Sequence, residues 1–123
     1  MPKVILVVED DPSSMKLVID ILQVSGYETI EATDGEQGVR LAKDNKPDLI
    51  LMDIMMPRMD GYTACTVIKS DQETRNIPIV FLTAVDYALN KRLGNMVGGV
   101  GYITKPISLP ALQKVLSQFL PTS

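Results

Sequence analysis

At 123 residues the chain has room for one domain, 1–123, and 46% hydrophobic residues suit a soluble globular core. A net charge of −3 and a pI near 4.8 exclude a basic nucleic-acid footprint. No apolar stretch nears the ~20 residues that span a bilayer, and the early run into acids is not a signal peptide.

The chain then alternates short apolar runs with helical periodicity, five times over, which predicts βα units around a parallel sheet. The first strand is about Val4 to Val8. Asp11-Pro12 reads as an N-cap followed by proline at the first helical position, and Gly26 as the stop. That helix is expected to bury Met15, Val18, Ile21 and Leu22. The second strand is about Glu28 to Ala32. Thr33-Asp34-Gly35-Glu36 resembles a capping box that opens a helix running to about Asp44. The third strand is Asp48 to Met52, followed by a loop from Asp53 to Asp60. The third helix covers about Tyr62 to Ser70, with Ala64, Val67 and Ile68 inward, and Asp71 to Asn76 is expected to be a surface loop. The fourth strand is Ile79 to Leu82. The fourth helix is expected at about Asp86 to Val97; glycines 94, 98, 99 and 101 around its end predict that it moves more than the first, second and fifth helices. The fifth strand lies near Gly101 to Ile103. The fifth helix begins at Ser108, with Leu109, Leu112, Val115, Leu116 and Phe119 as its apolar stripe. These stripes and the methionines are read as core. The lone Cys65 is read as a small buried apolar residue, and with no disulfide to form, a reducing cytoplasm is expected.

Three strand ends carry chemistry. The first strand runs into Glu9-Asp10-Asp11, the third ends at Asp53, and the fifth runs into Lys105-Pro106. Open parallel sheets gather such ends at one edge, where ligands bind. Glu9, Asp10, Asp53, Thr83 and Lys105 are therefore expected to converge. Close acids repel one another and call for a cation. With no histidine in the chain, a hard oxygen-seeking ion, Mg²⁺, fits better than a transition metal. Asp10 and Asp53 would bind it directly and Glu9 through water. A carboxylate can accept a phosphoryl group as an acyl phosphate. Mg²⁺ and Lys105 would then neutralise two of its oxygens, and either the Thr83 hydroxyl or the Ala84 N–H the third.

Five motifs occur in order: Ile5-Leu6-Val7-Val8-Glu9-Asp10-Asp11; Pro47-Asp48-Leu49-Ile50-Leu51-Met52-Asp53; Met56-Pro57 with Asp60-Gly61; Leu82-Thr83-Ala84; and Tyr102-Ile103-Thr104-Lys105-Pro106. On these the chain, from about Lys3 to Phe119, resembles the receiver domain of bacterial two-component response regulators, chemotaxis regulators included. The resemblance implies an α/β, flavodoxin-like fold: a doubly wound, five-stranded parallel sheet of order 2-1-3-4-5 with five helices. It implies that Asp53 accepts a phosphoryl group from a sensor histidine kinase or phosphotransfer protein. Glu9, Asp10, Asp53 and the backbone carbonyl of Met55 would form the Mg²⁺ site. Thr83 would be the switch hydroxyl and Tyr102 the aromatic that turns inward. Lys105 would complete the site, with a cis Lys105-Pro106 bond. A downstream target or output domain is implied, read by the face of the fourth helix, fifth strand and fifth helix, with phosphorylation-dependent dimerisation as one outcome. The first acid is Glu9 where the family more often has aspartate.

Two other classes compete. A small Mg²⁺-dependent aspartyl phosphatase would want a second acid two residues past its nucleophile, where this chain has Met55. A flavodoxin-like binding protein would want a phosphate-cradling loop after the first strand, where this chain has three acids. Met55 and Val85, two residues beyond Asp53 and Thr83, cannot orient an attacking water, so a long-lived acyl phosphate is expected.

Overall fold

Aliphatic and β-branched runs become strands wherever both of their faces can be covered. The computed structural model describes residues 2–84, 92–93 and 95–120. Its five strands are β1 (Val4–Val8), β2 (Glu28–Ala32), β3 (Leu49–Asp53), β4 (Ile79–Thr83) and β5 (Gly101–Thr104). They pair in parallel in the order β2-β1-β3-β4-β5, as expected. Every residue of β3 and β4 is buried.

Successive side chains point to opposite faces, which divides the core in two. Ile5, Val7, Leu49, Leu51, Val80, Leu82 and Ile103 meet helices α1 (Pro12–Val24) and α4 (Leu109–Phe119). Leu6, Val8, Ile50, Met52, Ile79 and Phe81 meet α2 (Gly35–Asn45) and α3 (Gly61–Ser70). Each fully buried side chain of this size contributes about 1.5–3 kcal/mol. Four helices stand among the described residues where five were expected. The remaining one, Asp86 to Val97, and its expected mobility fall largely outside them, as do Val85 and Pro121-Thr122-Ser123.

The local chemistry explains the element ends. Asp11 caps α1 by accepting from the Ser14 N–H at 2.9 Å, and Gly26 beyond its end takes φ +94°. The α2 box is shifted one residue from the expected one. Asp34, not Thr33, is the N-cap, accepting from Gln37 N–H, while the Gln37 side chain accepts from Thr33 N–H at 2.7 Å. Strand β3 starts one residue late because the Asp48 side chain turns back to accept from the Val4 N–H at 2.8 Å. Asp53, one residue beyond the expected end, takes the last ladder position, paired with Leu82.

Some burial expectations need correction. On α1 the inward line is Met15, Val18, Ile19 and Leu22, and Ile21 sits on its flank. On α3, Cys65 is buried as expected, but Val67 is exposed, because the inward face runs through Gly61, Ala64, Cys65 and Ile68. Leu109 opens α4 beyond the edge of the core and is exposed. Met15, Met52 and Met56 are core, whereas Met55 and Met96 lie 77% and 78% exposed. The 71–76 loop is not wholly superficial. Thr74 is buried, with its hydroxyl donating to the Ile68 carbonyl at 2.7 Å.

Candidate phosphoryl-transfer site

Register places the site. Val8 pairs with Met52, Asp53 with Leu82, and Thr83 with Thr104. The residues that follow or end these strands, Glu9, Asp53, Thr83 and Lys105, therefore stand side by side at one edge. The Lys105 N–H donates to the Thr83 carbonyl at 2.6 Å, and the Lys105-Pro106 bond is cis.

The charges meet there. The Lys105 ammonium lies 2.6 Å from Glu9 Oε1 and 3.3 Å from Asp53 Oδ2. Glu9 and Asp53 are 1% and 5% exposed, while Asp10 is exposed on the rim. One carboxylate oxygen from each of Glu9, Asp10 and Asp53 lies within 4.8 Å of the others. Asp11 does not join them. It is the α1 cap, and the Ser14 amide it accepts from holds its carboxyl below the usual range.

Two buried acids share one ammonium, so the site is short of positive charge. Burial pushes the Glu9 carboxyl up, and the hydrogen bond and charge of Asp53 push it further. The Lys105 ammonium and the Asp11 N–H, which donates to Glu9 Oε2 at 3.1 Å, only partly oppose this. Burial pulls the Lys105 ammonium down, but its contacts to Glu9 and Asp53 outweigh that and leave it above the ordinary value. The Lys105–Glu9 contact is an ion pair without hydrogen-bond alignment. Glu9 Oε1 is a fully buried oxygen with no aligned donor among the described residues. A hard cation suits this donor set. The oxygens are close, anionic and undersupplied with charge, and one of the three acids opens to solvent.

Thr83 shares this edge, Met55 follows it in the loop, and Tyr102 lies two residues short of the end of its strand. Thr83 is buried at the end of β4. Tyr102 is half-buried on β5, beside Phe81 in the register, and packs against the cluster that holds Phe81. The Tyr62 ring meets Phe81 edge-on, with centroids 5.2 Å apart. Met55 follows Asp53 in the loop, and its N–H donates to Asp53 Oδ1 at 3.3 Å. Sequence reasoning passed over two supporting features. One is the Asp11 amide that holds Glu9 Oε2. The other is Gly61, whose α-carbon lies so near the Asp53 carbonyl that a β-carbon would overlap it. Asp60-Gly61 stood among the motifs, but nothing in the sequence assigned the glycine this close approach.

The chain belongs to the response regulator receiver domain family, whose family model matches residues 5–117. It is a receiver domain of two-component signalling, a signalling module rather than a metabolic enzyme, and receiver domains work with histidine kinases and downstream targets. It is 38% identical over 120 residues to the polar-differentiation response regulator DivK of Brucella anthropi, covering 98% of each chain. The chemotaxis protein CheY4 of Vibrio cholerae superposes with a TM-score of 0.93 at 30% identity, over 98% of this chain and 100% of that one. The receiver domain of a Pseudomonas aeruginosa sensor histidine kinase, which carries a magnesium ion in its active-site cleft, gives 0.91 at 32% identity over 99% and 100%.

Proposed function

We propose that this receiver accepts its phosphoryl group on Asp53, from a histidine kinase or phosphotransfer protein. The observation that carries this is the Lys105 ammonium standing between two buried acids, 3.3 Å from Asp53 Oδ2. An Asp53 oxygen forms the new O–P bond as the donor's P–N bond breaks. Lys105 neutralises charge on the arriving oxygens, and the Met55 N–H orients the acceptor carboxylate. Glu9, Asp10, Asp53 and the Met55 carbonyl would hold Mg²⁺. When bound, it supplies the positive charge that the acids and phosphoryl oxygens need.

The aspartyl phosphate brings about −1.5 to −2 charges and three strong acceptors. Thr83 donates to one of them, and Tyr102 turns into the space it leaves. The readout is the face of β5 and α4, a two-state element biased by a local charge event. A cleft of about 400 Å³ bordered by Tyr102, Ala111, Lys114, Gln118 and Phe119 supports that placement. A downstream protein, an output domain or a second phosphorylated copy is the proposed reader. No helix among the described residues is long and apolar enough to cross a membrane. The proposed setting is the cytoplasm, and the proposed receiver unit is the whole of 1–123.

Acetyl phosphate with Mg²⁺ should add one phosphate by intact mass to the wild-type chain and none to Asp53→Ala. A phosphate that persists in Asp53→Ala would refute the assignment.

A further inference from the structure

We infer that Gly35, the first residue of α2, is a positioning residue for the loop that carries Met55, an inference that rests on reading Asp53 as the phosphoacceptor. The helix itself does not require glycine there. Asp34 and Gln37 complete the cap, Gly35 is not among the glycines of positive φ, and alanine is the better helix former. What position 35 lacks is space. A β-carbon would fall 2.6 Å from the Met59 carbonyl oxygen and 3.0 Å from Met59 Cβ and Cγ. The nearest of these atoms is backbone and cannot swing aside.

The loop from Ile54 to Asp60 is built to transmit a push. Its base is closed by the Gly61 N–H donating to the Ile54 carbonyl at 2.8 Å. Its tip is tight, with Met59 N–H donating to the Pro57 carbonyl at 2.8 Å and Arg58 at φ +69°. On the same helix Gly38 packs closely on Val8, where a β-carbon would come 2.8 Å from Cγ2, so α2 is seated tightly on the sheet. The loop is thus held between Gly35 on one side and Gly61 against Asp53 on the other. A side chain at 35 displaces Met59, and with it Met55, whose N–H reaches Asp53 Oδ1.

The test measures initial phosphorylation of the full chain by acetyl phosphate and Mg²⁺, alongside amide NMR spectra. Gly35→Ala should phosphorylate on the order of tenfold more slowly or worse, since ångström-scale misplacement has that effect. Its Met55 and Asp53 amide resonances should shift. Met59→Gly keeps Gly35 but loosens the loop from the other side, and should also slow the reaction. It decides the matter if Gly35→Ala folds poorly. Gly26→Ala is strained at φ +94° yet touches nothing within 4 Å, so it should lose stability and keep the wild-type rate. Wild-type rates in both loop variants, or a Gly26→Ala rate that falls with its stability, would overturn the inference. A wild-type chain that takes no phosphoryl group would instead overturn the reading of Asp53. The amide resonances then decide the clamp, and unmoved Met55 and Asp53 signals in Gly35→Ala overturn it.

Discussion

Lys105 and Glu9 face each other at 2.6 Å, drawn from opposite ends of the chain, with the Glu9 side chain wholly out of solvent. The pair is not self-contained, because Asp53 leans on the same ammonium from 3.3 Å. One cation serving two buried acids makes a site that is stable only in part and ready to take more positive charge. That imbalance links stability, metal response and pH.

Lys105→Met removes the shared cation and leaves two buried carboxylates facing each other. We expect a loss of about 3 kcal/mol in metal-free denaturant unfolding, the low end for a broken buried pair, because the Lys105 side chain stays 20% exposed. Mg²⁺ should restore more stability to this variant than it adds to the wild type. An equal gain in both would show that the ion and the ammonium do not compensate the same charges.

Glu9 binds its proton more tightly folded than unfolded, because burial and Asp53 raise its pKa. Stability from this group therefore falls as pH rises from the ordinary 4.5 to the raised folded value, and is level above it. Glu9→Gln should flatten that part of the metal-free stability curve and raise the melting temperature above it by about 4 °C, equivalent to about 1 kcal/mol. The same variant should lose much of the Mg²⁺-induced rise in melting temperature. Thermal unfolding across pH, with and without Mg²⁺, checks both. A parallel pair of curves for wild type and variant contradicts the buried-charge account.

Met55 is exposed beside Asp53, and its thioether offers an attacking water no useful partner. Met55→Asn places an amide there. The acyl phosphate should then decay faster, with phosphorylation itself still occurring, as followed by intact mass after removal of the phosphodonor. Identical half-lives would mean that this side chain does not govern water attack.

Much of the fold was legible because strand ends in a parallel sheet carry distinct residue patterns. The runs Val4–Val8 and Ile79–Leu82 are too short and apolar to be anything but buried strands here, and the caps at Asp11 and Ser108 follow from local hydrogen bonding. Finer choices failed where two neighbours compete. Thr33 and Asp34 both suit an N-cap, and only the reach of Gln37 selects Asp34. Ile19 and Ile21 are both aliphatic, and only the direction of α1 over the sheet selects Ile19. Periodicity sets a face to within one residue, and packing removes the remaining freedom.

The order of residues alone determined which groups would stand at one edge of the sheet, since parallel strands all present their carboxyl ends to the same side. Tertiary structure decided how they share charge there. That Glu9 is buried, that Asp10 is open, and that the Asp11 side chain caps its helix are outcomes of register and side-chain direction. So is the fit of two glycines against the loop after Asp53, because close approach between segments distant in the chain depends on the space left between them and leaves no periodic trace.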